Sequence, residues 1–292
     1  MLEDQVLACQ FGAWYDDFKK ATFKSEIIPL PESFVQYLHA DGIRVRTGAD
    51  DAASDSSGED DAGSEGSLEA CNFPELESAI EAAIERLNGA VLPKLNWSAP
   101  KDAQWMNLGS LKCDSAEQVI TMLKASDFVA HDLSHAFDHC DTQRKAPDTF
   151  TLVLRRWHTL HESNEFRCFV SGSRLIAVSQ RHISGFYEHL TEQGEAEALR
   201  EAILGFFREG REGKDCAPKE RFPSERYAFD VYVDMAPRRK VWLVDFSPWG
   251  PTTDPCLFDW EELAELGAAG ERPGAAAPEL RAVASEGDRR GK

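Results

Sequence analysis

The chain has seven cysteines, Cys9, Cys71, Cys113, Cys140, Cys168, Cys216 and Cys256, yet no two of them stand at C-x-x-C spacing. An odd number without ligand spacing is neither a disulfide framework nor a zinc ribbon, and it suits a reducing compartment. No apolar run of about 18 residues occurs, the length a membrane helix needs. The first residues, Met-Leu-Glu-Asp-Gln, are neither basic nor apolar, unlike a secretory leader. A cytoplasmic protein with no membrane partner is expected. Positive charge is also scarce: 32 Lys and Arg face 51 Asp and Glu, giving a net charge of −19 and a pI near 4.8. Nucleic acid and anionic membranes are thereby excluded as main ligands, since both call for a basic footprint. A basic protein surface is the more natural partner.

What is present suffices for a substantial core: 42% of the 292 residues are hydrophobic, enough for one large or two small domains. The most informative stretch is 227–250. Ala228–Val233 and Val241–Phe246 are rich in β-branched and aromatic residues, with Ala-Pro-Arg-Arg between them, and read as a hairpin. Strand side chains alternate faces. Ala228, Asp230, Tyr232 and Asp234 therefore share one face, and Val241, Leu243, Asp245 and Ser247 another. If Asp234 opposes Val241 and the ladder is regular, Asp230 falls opposite Asp245. Carboxylates about 5 Å apart repel unless a cation, a proton, Arg or Lys stands between them. Oxygen ligands without His or Cys suggest Mg²⁺, which is usually shared with phosphates. The alternative is a solvated surface hairpin.

The rest of the chain divides by composition. Phe11, Trp14, Tyr15 and Phe18 form an apolar helical stripe, and a second helix with Phe34, Val35 and Leu38 inward opens at Pro31. Residues 47–71 are rich in Asp, Glu, Ser and Gly with no Lys or Arg, and are expected to be a disordered acidic insertion. Leu76, Ile80, Ala83, Ile84 and Leu87 mark a helix with Asn88-Gly89 as its C-cap. A short strand then delivers Lys94 into a polar turn with Asn96, Trp97, Lys101 and Asp102. Ser115 and Gln118 form a capping box for the next helix. His131, His135 and His139 would share a helix face, but the acids around them suggest exposure rather than a metal site. From 150 the chain is strand-rich: Phe150–Trp157, then a hairpin of Glu165–Val170 and Arg174–Gln180, with Glu165 and Arg167 placed for an ion pair within one strand. A helix spans 195–207. Residues 265–292 are rich in Ala, Gly, Pro and charge, and are expected to be a disordered tail.

Six blocks, taken together, resemble the cell division cycle protein 123 (D123) family. They are Pro93–Ala103, Leu111–Cys113, Leu152–Trp157, Glu165–Val170, Ile176–Arg181 and Val241–Pro248. The likeness covers about 11–262 in order and leaves out the acidic insertion and the tail. It implies an α+β, ATP-grasp-like two-lobed fold, with antiparallel sheets flanked by helices. The expected parts are an N-terminal helical portion at 1–46, one lobe at 72–149 and a second at 150–264. The resemblance further implies an assembly chaperone for eukaryotic translation initiation factor 2, acting through its gamma subunit, with ATP and Mg²⁺ as cofactors. A monomer is expected. By motif, Lys94 is implied to contact phosphate, and Asn96, Trp97, Ala99 and Asp102 to shape the nucleotide-side turn. Arg155 and Trp157 are implied at the adenine-side hinge, Glu165 and Arg167 at ribose or phosphate, and Arg181 at phosphate. Asp230, Asp245 and Ser247 are implied to hold Mg²⁺.

This chain departs from the family pattern at one sensitive point. Asp245-Phe246-Ser247-Pro248 stands where Asp-Phe-Asn-Pro is expected, and a Ser hydroxyl is a shorter and weaker ligand than an Asn carbonyl. An ATP-grasp ligase, joining a carboxylate to an amine through an acyl phosphate, would hold ATP with similar residues. It would also need a basic acceptor pocket, which the sequence does not announce. The chaperone reading is therefore preferred, with no catalytic residue assigned.

Overall fold

In the computed structural model, residues 1–40, 72–192, 194–211, 213, 216–269 and 277–288 are described. The acidic stretch 47–71 lies outside them. Two sheets organise the rest. The smaller runs in the order β1 (Ser25–Pro29), β3 (Thr151–Arg156), β2 (Val91–Lys94). The larger runs β7 (Val241–Pro248), β6 (Tyr227–Val233), β4 (Glu165–Ser171), β5 (Arg174–Gln180), β8 (Glu279–Arg281). All pairings are antiparallel except β5 with β8. The helices are α1 (Glu3–Ala8), α2 (Phe11–Phe18), α3 (Glu32–His39), α4 (Pro74–Arg86), α5 (Ala116–Lys124), α6 (Asp127–Ser134), α7 (Glu195–Glu209), α8 (Pro218–Arg221) and α9 (Trp260–Ala269).

Local chemistry explains many of the boundaries. Pro74 starts α4, and Asn88 (φ 73°) and Gly89 (φ 82°) end it in left-handed conformation. There the Gly89 N–H donates to the Ile84 carbonyl at 2.8 Å. At α5 the Ser115 hydroxyl accepts from Gln118 N–H at 3.4 Å, while the Gln118 side chain accepts from Asp114 N–H, one residue upstream of the expected box. Between β4 and β5, Gly172 and Ser173 both have positive φ (57° and 54°), which matches the right-handed twist of a tight hairpin.

Alternation divides the cores. Leu152 and Leu154 of β3 face a core built with α3, α4, α5 and α6. One face of the large sheet, with Phe166, Cys168, Phe229, Val231, Leu243 and Phe246, packs on α2 and α7. Part of its other face, with Phe169, Ala177 and Ala228, is covered by Phe258 and Leu263.

Four expectations need correction. Strand 151–156 belongs with β1 and β2, so the sheets divide after β3 and not at 150. The N-terminal portion is not all helical: it contains β1, which pairs with β3, while Trp14 and Phe18 of α2 pack on Phe246 with ring centroids 5.4 and 5.2 Å away. The stretch from 265 is partly ordered. Helix α9 runs to Ala269, β8 pairs with Ala177–Ser179, and Val283 is buried. A three-residue strand behind an Ala-Gly-Pro stretch leaves too short a pattern to read, and the neighbouring edge supplies what the pattern lacks.

The fourth concerns the hairpin. Val233, not Asp234, stands opposite Val241, so the strands enter one residue out of the expected register. A bulge then leaves Val244 without a partner in the ladder and restores the offset, so that Asp230 does oppose Asp245. The bulge also exchanges faces. Val241, Leu243 and Phe246 point into the aromatic core, while Asp245 and Ser247 share the opposite face with Asp230. Val241 and Leu243 therefore do not share a face with Asp245.

Candidate functional site

The rest of that second face of the large sheet carries a row of charges. Across neighbouring strands, Arg167 of β4 opposes Asp230 of β6, and Asp230 opposes Asp245 of β7. Arg167 grips Asp230 with both oxygens engaged: Nε donates to Oδ1 and Nη2 to Oδ2, each at 2.8 Å. Its Nη1 donates to the Asp254 carbonyl at 2.9 Å. Arg181 lies 3.6 Å from Asp230 and 3.6 Å from the Asp254 carboxylate. Burial alone would raise the pKa of Asp230. The guanidinium of Arg167, helped by Arg181 and Lys101, overrides burial and brings it down to about 2. The expected pair within β4 does not form, because Arg167 turns to Asp230 and Glu165 instead meets His182 Nε2 at 3.3 Å.

Asp245 is met from the other sheet. Lys94, at the end of β2, forms a buried ion pair with its Oδ2 and sits over the Phe11 ring. Burial lowers the Lys94 pKa, and the pull of Asp245 only partly offsets this. Phe246 N–H also donates to Asp245 Oδ1 at 3.1 Å. Between opposed acids the sequence reading required a cation, a proton or a basic side chain. Here each acid has its own basic side chain.

The turn after β2 is built by hydrogen bonds. Asn96 spends its amide on the start of β3, accepting from Thr151 N–H at 2.7 Å and donating to the Thr149 carbonyl at 3.0 Å. Trp97 donates its ring N–H to the Val6 carbonyl at 2.9 Å. Buried Asp132 of α6 accepts from Trp97 N–H, Ser98 N–H and Ser98 Oγ at 3.2, 2.8 and 2.8 Å. Burial raises its pKa to about 6, even against those hydrogen bonds. Ala99 is half-buried in this turn. Asp102 ties the following 3₁₀ turn (Lys101–Asn107) to α6, accepting from Ser126 Oγ and Asp127 N–H, both at 2.6 Å.

Lys101 belongs to the site but was passed over in the sequence as one more polar turn residue. Surrounding protein lowers its pKa, with Arg181 and Arg167 adding to the effect and Glu165 and Asp230 opposing it. Lys101 itself is exposed. Its position just after the turn bearing Trp97 and Ala99 was the available signal.

Arg155 and Trp157 lie where β3 leaves the small sheet. Arg155 is buried, while half-buried Trp157 donates its backbone N–H to the Ala90 carbonyl at 2.9 Å. The rings of His131 and His135 lie 5.8 Å apart, centroid to centroid, but the three histidines do not share one helix. Helix α6 ends at Ser134, and His135 pairs with Asp138 at 2.8 Å. Among the described residues no group of three or more His, Cys, Asp or Glu is placed to hold a metal ion. Nor is any described helix long and apolar enough to cross a membrane.

The D123 family model matches residues 14–291, which takes in the tail as well as the six blocks. A protein of Xenopus laevis named translation initiation factor eIF2 assembly protein is 41% identical over 276 residues, covering 90% of this chain and 78% of the relative. The protein of that name from Schizosaccharomyces pombe is 40% identical over 283 residues, covering 94% of this chain and 82% of the relative. The solved structure of Cdc123 from Schizosaccharomyces pombe aligns with a TM-score of 0.75 at 40% identity, covering 96% of this chain and 97% of that one. With its α+β fold shared across nearly the full length, the chain belongs to the D123 family.

Proposed function

We propose that this protein binds ATP with Mg²⁺ on the charged face of the large sheet and promotes assembly of heterotrimeric translation initiation factor 2 by gripping its gamma subunit. The supporting observation is the row Arg167–Asp230–Asp245, with Lys94, Lys101 and Arg181 converging on it. That is a set of cations beside two opposed acids, in a family that resemblance links to the ATP-grasp fold. The partner follows from the names of the relatives, and the subunit from the family resemblance.

The donor set suits magnesium shared with a nucleotide. Two carboxylates and the Ser247 hydroxyl offer hard oxygens, and no third acid completes a cage among the described residues. Mg²⁺ is commonly held by one or two carboxylates, with phosphates and water filling the remaining positions. Asp230, Asp245 and Ser247 would hold it, and it would neutralise the phosphates where they meet the sheet. Lys94 would then exchange Asp245 for a phosphate, a role a flexible point charge performs well. Arg181 and Lys101 supply further positive charge, and Arg167 keeps Asp230 ionised. Nucleotide binding, rather than turnover, would order the surface that meets the gamma subunit.

Calorimetry with ATP and Mg²⁺ tests the site. Binding to the wild type and a much weaker complex with Asp245→Ala is expected, whereas equal affinity in both removes the site. A pull-down with the gamma subunit tests the partner. Release of ADP or phosphate with a small amine, without capture of the subunit, would favour the ligase.

A further inference from the structure

The bulge in β7 decides which way Asp245 points. Continued regularly from Val233 opposite Val241, the ladder would set Val244 opposite Asp230. Asp245 would then enter the aromatic core and Phe246 would leave it. β7 is an edge strand, and its outer side is met by other parts of the chain. Leu243 N–H donates to the Ala21 carbonyl at 2.9 Å, and its own carbonyl accepts from Thr22 Oγ1 at 2.7 Å. In a regular strand the next residue would turn its polar groups inward to β6. Here the Val244 carbonyl instead accepts from Arg155 Nη1 at 2.7 Å, so two successive carbonyls face outward.

Arg155 reaches that carbonyl from β3 in the other sheet. Its Nη2 donates to Thr22 Oγ1 at 3.3 Å, and its guanidinium lies over the rings of Phe11 and Phe23 at 5.3 and 5.4 Å. Arg155 feels the charge of the Asp245 carboxylate, but the side-chain ion pair to that carboxylate is made by Lys94.

We propose that Arg155 is a positioning residue: by taking the carbonyl of the extra residue, it holds the bulge that keeps Asp245 on the face of Asp230. This assigns Arg155 work through the strand rather than at the adenine, and it rests on the nucleotide–magnesium reading for its functional consequence. The competing explanation is that Phe246 holds the bulge alone through its contacts with Trp14, Phe18, Phe222, Tyr227 and Phe229.

The test measures Mg²⁺-dependent ATP affinity in Arg155→Met, Arg155→Lys, Asp245→Ala and the double variant Arg155→Met/Asp245→Ala. Groups that orient a metal ligand typically change metal affinity about 10- to 100-fold when removed, and a loss of that size is expected for Arg155→Met. Arg155→Lys, which can still donate to one carbonyl, is expected to recover part of it. The double variant should bind no more weakly than Asp245→Ala alone, because both act through one carboxylate. Losses that simply add, or full Mg²⁺-dependent affinity in Arg155→Met, overturn the assignment. Should Arg155→Met fold poorly, Arg155→Gln, which is polar but shorter and uncharged, is used in its place, and a loss of the same kind is expected; unchanged affinity counts against the proposal. If the wild type shows no Mg²⁺ dependence, the metal reading fails by itself. The crystal structure of Arg155→Met, or of Arg155→Gln, then decides: a lost or shifted bulge supports the role of Arg155, and an intact one overturns it.

Discussion

Asp230 and Asp245 face each other across neighbouring strands, yet their surroundings differ in kind. Asp230 is locked within its own sheet by a two-pronged arginine, with a second arginine behind it. Asp245 is answered by a lysine from the other sheet and sits on a bulge. One acid is a fixed anchor, the other an exchangeable position. A site that must admit a cation needs both: an anchor that never loses its charge and a neighbour whose partner can leave.

The largest effect that would break this contrast is on stability. Arg167→Met leaves Asp230 buried without its main partner and should cost about 3–5 kcal/mol. Lys94→Met should cost less, about 1–2 kcal/mol, because Asp245 retains some access to water. Denaturant melts of the two variants measure both, and equal losses would erase the distinction between anchor and exchangeable acid.

Next in size is the dependence on pH. Asp230 has a folded pKa of about 2, below its unfolded value. Its contribution, about 2 kcal/mol, is present above pH ~4 and lost as pH falls through 2. Asp132, raised to about 6, behaves oppositely: its contribution is present below pH ~4 and lost as pH rises through 6. Stability measured in urea between pH 2 and 7 should therefore lose its acid-side rise in Asp230→Asn. Asp132→Asn should lose a fall between about pH 4 and 6. An unchanged profile in either variant contradicts the corresponding environment.

The smallest effect sharpens the exchangeable side alone. Ser247 shares the Asp245 face, and Ser247→Asn restores the longer carbonyl ligand of the family pattern. Mg²⁺-dependent ATP affinity should tighten about threefold, under ~1 kcal/mol, with no change in Mg²⁺-free binding. Calorimetry with and without the metal reads this, and a weaker complex would place Ser247 outside the metal's reach.

Much of this site was legible in the sequence because it lies on period-two strands. The opposition of Asp230 and Asp245 emerged from alternation, although by a register one residue off that a bulge then corrected. A bulge leaves almost no local signal: Val244 is an ordinary strand residue, and only the demand of Phe246 for the core and of Asp245 for the charged face requires it. Partners across strands were equally hidden. Glu165 beside Arg167 looked like a pair along one strand, whereas the cross-strand neighbour Asp230 was nearer in space. Lys101 read as turn chemistry because the charges it acts on, Asp230 and Arg181, lie far along the chain. Helices were easier, since the stripe on α4 and its Asn-Gly end are complete within a short window.

The bond from Thr22 to the Leu243 carbonyl joins residues 221 positions apart. A nascent chain would thus carry α2 and β1 long before the strand that completes their packing has been made. Halves cut between the sheets and produced separately would each lack an aromatic surface the other supplies. Mixing such halves, rather than studying either alone, is the condition under which native structure should return.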